Sequence, residues 1–443
     1  MTDCNSLSPA SETLLHGKEG DLRKFGLYVA LAVMAALPGL AQGLTGMHIT
    51  PLFDALCAGV AVLGAGFMLS WGVEAAEEHV SRGLALAVLA LITVLPEYAV
   101  DIYFAFQAGR QPGSDYVQFA AANMTGANRL LVGVGWPLIA LLFWWRTGKR
   151  GVQLTWENSV EVTYLALGSF YSFVIVLKGR IDWFDLLVLF GLFGAYLWRL
   201  GTLRKDEGNI EEEAEVGPAA VLTRLPRRRQ YTIIAALASF AGLIIVIEAK
   251  PFAESLIEAA AALGVNRFLL IQWVSPLAGE APEIIITILF TLALRPTYAL
   301  GALISDKINQ WTLLVGTLPL VYSIGAGRLL ALPLGARQHE EFFLTAAQSL
   351  FAVALLLRLR FSLLGALILL ALFLGQLAIG FAFQDDEART IAHLTSFAWC
   401  YLILTAILFL AERARLMEHL RVGLLGRPVV ADASSTSPSE KRP

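Results

Sequence analysis

About twelve apolar runs, most near twenty residues long, divide this 443-residue chain and restrict its possible folds more than any other feature. They fall at residues 26–44, 53–73, 83–106, 116–145, 160–177 and 184–200, then at 231–264, 267–294, 298–324, 342–357, 361–381 and 393–410. Roughly twenty apolar residues in helical form cross the hydrocarbon of a bilayer. Only 16% of the residues are charged, against about 25% in ordinary soluble domains. The expected fold is an all-α polytopic membrane protein of about twelve transmembrane helices. The runs at 116–145 and 231–264 exceed one bilayer thickness, so each is expected to tilt, bend or continue into water.

The first 24 residues are polar and mixed in charge, without the apolar core and cleavage site of a signal peptide, so the first run is expected to be a retained span. Net charge is −3 and no basic tract is interleaved with aromatics, which argues against a nucleic-acid partner. Cys4, Cys57 and Cys400 are scattered and make neither a disulfide framework nor a CxxC metal site. Residues 202–230 place an acidic block (Glu211, Glu212, Glu213, Glu215) before a basic one (Arg224, Arg227, Arg228, Arg229). That linker reads as a solvated connector, being shorter than the roughly 50 residues of a small domain.

Basic residues set the orientation. Lys18, Arg23 and Lys24 precede the first run, Arg146, Lys149 and Arg150 follow the fourth, and the linker follows the sixth. Arg358 and Arg360 lie between the tenth and eleventh, and Arg413, Arg415 and Arg421 follow the last. With one crossing per run all of these share one face, so both termini and the linker are expected in the cytoplasm and the chain in the cell membrane. Arg328 and Arg337 fall on the opposite face.

Within the eighth run the sequence reads A-G-E-A-P-E-I-I-I-T (278–287), placing Glu280, Pro282 and Glu283 where hydrocarbon is expected. A charge at the bilayer centre costs roughly 2.5–3.5 kcal/mol on the insertion scale, and an interior helical proline about 3 kcal/mol. The third run holds a second Pro-Glu pair in L-P-E-Y-A-V-D, with Glu97 and Asp101. Matched flanks follow: N-R-L-L-V-G-V-G-W-P from Asn128 and N-Q-W-T-L-L-V-G-T-L-P from Asn309. The Glu-to-Asn separation is 31 residues in the first copy (97 to 128) and 26 in the second (283 to 309). A longer turn at 110–115, against 295–297, accounts for most of the difference. Setting aside the leading span, each repeat has five crossings. An odd number turns the second copy upside down, and inverted repeats with polar groups on interrupted helices are the pattern of a secondary transporter.

These motifs resemble those of the calcium/cation antiporter superfamily, which includes the sodium/calcium exchangers. Its two α-repeats each carry a G-T-S-x-P-E helix followed by a G-N-x-x-G-S-N-type helix. The likeness covers most of the chain and is most specific at 71–135 and 249–316. It implies that Glu97 and Glu283 stand at the family's ion-binding glutamates, and Asn128 and Asn309 at its asparagine and, in many exchangers, aspartate. Ser305 falls on a family site serine, with Met124 at its counterpart. The first motif keeps Thr93 but has Val94 for the serine; the second has Gly279 and Glu280 in place of Thr-Ser. Glu280, three residues before Glu283, shares its helix face. It either restores a missing site charge or bonds a neighbouring helix.

Hard cations such as Ca²⁺ take 6–8 oxygen ligands. The two glutamates and two asparagines, with carbonyls freed by Pro96 and Pro282, supply that chemistry, whereas no paired Cys or His suggests zinc or copper. Bare carboxylates held together away from water need neutralisation, so Na⁺ or H⁺ is the expected counter-ion to Ca²⁺. Asp101 either extends the ion path or pairs with another helix. Asp306 is expected as a supporting or pathway group, Lys307 as a snorkelling or paired cation, and His79 as an interfacial residue. No resident cofactor is expected; the partners are inorganic cations and the lipid bilayer. A Na⁺/H⁺ antiporter is the alternative. A membrane-embedded enzyme is less favoured, since neither HExxH nor GxSxG occurs. The expected layout is an N-terminal tail (1–25), an extra leading helix (26–52), the first inverted repeat (53–201), the linker (202–230), the second repeat (231–382), an extra helix (383–412) and a C-terminal tail (413–443).

Overall fold

Apolar length converts directly into helix, because in hydrocarbon a helix satisfies its own backbone hydrogen bonds. The computed structural model describes residues 9–76, 94–202, 218–223 and 225–425. Among these, nine helices are long and apolar enough to cross a membrane. The first half holds α1 (Pro9–Thr45), α2 (Pro51–Ala76), α3 (Leu95–Arg110), α4 (Tyr116–Leu130), α5 (Trp136–Thr147), α6 (Asn158–Lys178) and α7 (Trp183–Thr202). A short α8 (Ala220–Thr223) precedes the second half: α9 (Arg227–Leu263), α10 (Arg267–Leu292), α11 (Pro296–Asn309), α12 (Val315–Ala326), α13 (Ala336–Leu356) and α14 (Leu363–Ala382). Two more helices close the chain, α15 (Glu387–Ala411) and α16 (Arg413–Leu425). Thr93, in the opening of the third apolar run, and His79, ahead of that run, lie outside the described residues.

Four very short strands fix the relation between the halves. β1 (Gly151–Gln153) leads into α6 and β2 (Arg180–Ile181) follows it; β3 (Leu332–Pro333) leads into α13 and β4 (Arg360–Ser362) follows it. β1 pairs antiparallel with β4, Val152 opposite Phe361, and β2 pairs antiparallel with β3, Ile181 opposite Leu332. The head of α6 is thus clasped to the tail of α13 at one end, and tail to head at the other. Equivalent helices of the two repeats therefore run antiparallel, and the repeats are inverted. The four central clasp residues are fully buried, so each clasp is held by apolar packing as well as by its few ladder bonds.

The run expected at 116–145 is one continuous rod, α4 and α5 joined by a π-helical turn at Leu131–Gly135. Its counterpart joins α11 to α12 through a second π-turn at Gln310–Leu314. Both rods stop at a left-handed glycine, Gly148 (φ 73°) and Gly327 (φ 67°), a conformation that costs a residue with a Cβ. Trp136 and Trp311, one in each rod, are fully buried at the centre. α3 and α12 pack backbone to backbone: a Cβ on Gly109 or on Gly325 would overlap the other helix's main chain.

Outward faces of α1, α7, α14 and α15 are apolar and open: Leu27, Met34, Leu187, Trp198, Leu364 and Ile403 all project from the bundle. Scattered single apolar side chains are normal on a soluble surface, but a continuous belt fits lipid. The C-terminal segment is more than the tail expected from 413 onward. α16 folds back beneath α6 and α7, with Thr163 Oγ1 donating to the His419 carbonyl at 2.8 Å and Arg199 Nε to that of Gly423 at 3.0 Å. A ring nitrogen of His419 meets the Leu357 carbonyl at 2.9 Å. Arg358, at the tail of α13, pairs with Glu412, which lowers that carboxyl's pKa.

Candidate cation-binding site

The two Pro-Glu pairs sit differently in their helices. Pro96 is in the first turn of α3, where its missing N–H costs nothing. Pro282 lies inside α10, which continues through it unbroken from Arg267 to Leu292. The sequence suggested an interrupted helix there; instead the ring seats against Gly66 of α2, where a Cβ would lie 2.7 Å from the Pro282 Cγ. The irregular backbone is displaced to the π-turns beside Asn128 and Asn309. Such single π-turns recur at functional sites.

Glu97 is 3% exposed, and neither carboxylate oxygen has a hydrogen-bond donor among the described residues. It leans onto α10 at Gly279, where an added Cβ would stand 2.7 Å from the Glu97 carboxyl carbon. Glu283 accepts from Ser70 Oγ of α2 at 3.3 Å through Oε1, while its Oε2 has no donor among the described residues. Glu280 accepts from the Gln310 side-chain amide, at the start of the second π-turn. Glu97, Glu280, Glu283 and Asp306 all lie within electrostatic range of one another's cluster. Among the described residues no three acidic, histidine or cysteine side chains converge enough to hold one ion. Amide and carbonyl oxygens would have to complete any coordination shell.

The two asparagines are both buried but meet unlike partners. Asn309 Oδ1 accepts from the Tyr98 hydroxyl at 3.2 Å. Asn128 Oδ1 accepts from the Lys307 ammonium at 2.8 Å, and Asn128 Nδ2 donates to the Met124 carbonyl at 2.8 Å. Lys307 is fully buried, so it does not snorkel. Asp101 is buried and accepts from Asn123 Nδ2 at 3.0 Å, a contact between α3 and α4. Ser305 is turned away from the glutamate pair: its hydroxyl meets Tyr196 of α7 at 2.8 Å and reaches Glu161 of α6. Ser305, Asp306 and Glu161 are each partly accessible, whereas Glu97, Glu280 and Glu283 are buried. A polar track therefore leads from the glutamates toward the head of α6, where Asn158 bonds Glu161.

Sequence reasoning did not single out Ser70, Tyr98, Gln310 or Glu161. Tyr98 and Gln310 adjoin Glu97 and Asn309, and that adjacency was the available signal. Ser70 carried none. A second charged group was also missed: Arg129, beside Asn128, pairs with Glu341 of α13, which also takes Arg337 at 2.6 Å. Arg129 lies 5.0 Å from the Trp273 ring as well. Removing one member of a buried pair strands its partner, at a cost of roughly 3–5 kcal/mol. Glu341→Gln is expected to lower the melting temperature of the purified protein by several degrees. An unshifted melt would show that the network contributes nothing to stability.

A family model described as sodium/calcium exchanger protein matches twice, at residues 52–201 and 233–382. The crystal structure of the H⁺/Ca²⁺ exchanger CAX superposes with a TM-score of 0.82 at 40% identity, covering 90% of this chain and 98% of that one. The sodium–calcium exchanger NCX_Mj soaked with 2.5 mM Na⁺ and 1 mM Sr²⁺ gives a TM-score of 0.51 at 17% identity, covering 75% of this chain and 99% of that one, a likeness of fold alone. A search of curated protein sequences gives no match. With inverted five-helix repeats, a Pro-Glu pair in each and two matches to the exchanger model, this chain belongs to the sodium/calcium exchanger family within the calcium/cation antiporter superfamily, multi-pass membrane transporters of inorganic cations.

Proposed function

We propose that this chain exchanges Ca²⁺ for H⁺ by alternating access, with the ion held between Glu97 and Glu283. The observation that carries this reading is the set of buried carboxylate oxygens, both on Glu97 and one on Glu283, that meet no donor among the described residues. A buried acceptor without a donor is costly unless something positive reaches it. A hard cation or a proton meets that need, and each in turn is an exchange. Glu280 and Asn309 are proposed to support the site, Asn128 to border it with its oxygens turned to Lys307, and Asp306 and Asp101 to flank the path to it. Ser305 belongs with the accessible track, and Thr93 remains a proposed ligand from the motif alone.

The proton is favoured over Na⁺ for two reasons. The 40%-identical relative is an H⁺/Ca²⁺ exchanger, and the second motif lacks the Thr-Ser pair of the sodium-coupled pattern. Ser70 ties Glu283 to α2, and Gly66 of α2 carries Pro282. Occupancy of the site is thereby coupled to the long helices α2 and α9, whose sliding would expose it to each side. The face bearing β1, β4 and α16 is proposed to be cytoplasmic, as Arg146, Lys149, Arg150, Arg358 and Arg360 gather there, with both termini on that side and the chain in the cell membrane.

Reconstituted vesicles test the reading directly. Ca²⁺ uptake is expected when a pH gradient is imposed and to be weak or absent under a Na⁺ gradient alone. Uptake driven only by Na⁺ would reassign the coupling ion. Na⁺/H⁺ exchange with no Ca²⁺ movement would replace the proposal with a monovalent antiporter.

A further inference from the structure

Inverted repeats place equivalent side chains in equivalent positions, so a difference between equivalents carries information. Asn128 and Asn309, matched in sequence by the flanks that follow them, differ in what their oxygens face. Asn309 meets a neutral hydroxyl. Asn128 meets a full positive charge, the Lys307 ammonium from α11 of the other repeat. The same ammonium lies 3.4 Å from the Asn128 backbone carbonyl and 4.5 Å from the Trp311 ring centroid. The Asn128 amide cannot turn away without losing its bond to Met124.

A buried ammonium ordinarily pairs with a carboxylate. Lys307 makes no ion pair among the described residues; its acceptors there are the two Asn128 oxygens. An amide oxygen, a main-chain carbonyl and an aromatic face are also what a dehydrated alkali ion accepts. The two π-turns (Leu131–Gly135 and Gln310–Leu314) and the two glycine caps (Gly148 and Gly327) each stand 179 positions apart, a register that sets Lys307 opposite Asn128 itself. The lysine's counterpart is thus the neutral amide it bonds, and the site is asymmetric in charge although nearly symmetric in backbone.

We propose that the Lys307 ammonium is a tethered cation occupying a subsite built around Asn128 that would otherwise take an alkali-metal ion. This rests on the reading of the glutamate cluster as a cation site. The transported ion is then confined to the half formed by Asn309, Glu97, Glu280 and Glu283. An alkali ion has no place beside it, which makes Lys307 a determinant of which counter-ion the protein can use.

The test uses the purified full-length protein in detergent, free of Ca²⁺. Equilibrium binding of radiolabelled Na⁺, and of Rb⁺ as a K⁺ surrogate, is compared between wild type and Lys307→Met. Melting is followed in parallel in NaCl, KCl and choline chloride. The variant is expected to bind one additional alkali ion per chain and to melt higher in an alkali salt than in choline. Adding Asn128→Leu should abolish both gains. Should Lys307→Met be too unstable for counting bound ions, rescue of its melting by NaCl or KCl but not choline still supports the proposal. Neither extra binding nor alkali-specific stabilisation overturns it. Wild-type protein without Ca²⁺ flux, together with alkali binding in the variant, would remove the transport reading and leave this one. Normal Ca²⁺ flux with no gain in the variant would do the reverse.

Discussion

Glu283→Gln is expected to abolish pH-driven Ca²⁺ uptake while the protein still folds, and Glu97→Gln to do the same. The amide keeps the shape of the side chain and removes only its charge. For a divalent ion held by few carboxylates, affinity follows the number of charged ligands. Loss of one should weaken binding by about 100-fold or more, on the order of 3 kcal/mol. The folded state should lose little, because neither Glu97 oxygen nor Glu283 Oε2 is paired among the described residues. Neutral glutamine also relieves repulsion among buried carboxylates, so unchanged or raised melting should accompany the lost flux. Vesicle uptake and a melting curve on the same preparation decide the matter. Wild-type flux in either variant would remove that residue from the site.

Gly279→Ala tests the same site from the opposite helix. A single methyl group there would occupy the space of the Glu97 carboxylate. Alanine is the better helix former by about 1 kcal/mol, so the helix itself should not suffer. The Glu97 side chain would have to turn out of its present position, and Ca²⁺ uptake should fall at least about tenfold, since catalysis and binding are sensitive to displacements near 1 Å. Glycine in place of the family's threonine is thus read as room for Glu97. Gly279→Ala with undiminished uptake would mean that this carboxylate position is not the one that binds the ion.

These two expectations draw on different layers of information. The positions of Glu97 and Glu283 were legible as charges inside apolar runs, and their relation as copies was legible from the matched flanks. That Gly279 faces Glu97 was not, because the two lie on separate helices whose rotation and depth are set by packing. Proline illustrates the limit from the other side. Pro282 read as an interruption, yet α10 runs through it and the backbone irregularity lies at the π-turns. Proline removes one hydrogen bond, but a neighbouring glycine on α2 gives its ring space, and a helix so supported does not need to break.

By itself the sequence determined that the chain crosses a membrane many times, that it contains two inverted copies, and which carboxylates lie at depth. These follow from hydropathy over twenty residues and from counting crossings, both local properties. Tertiary structure alone decided which oxygens are left free and which are taken. The Ser70–Glu283 bond joins residues 213 apart, and the Lys307–Asn128 bond residues 179 apart. Hydropathy records how deep a segment lies and not which way each side chain points, so contacts of that kind exist only once the helices have docked.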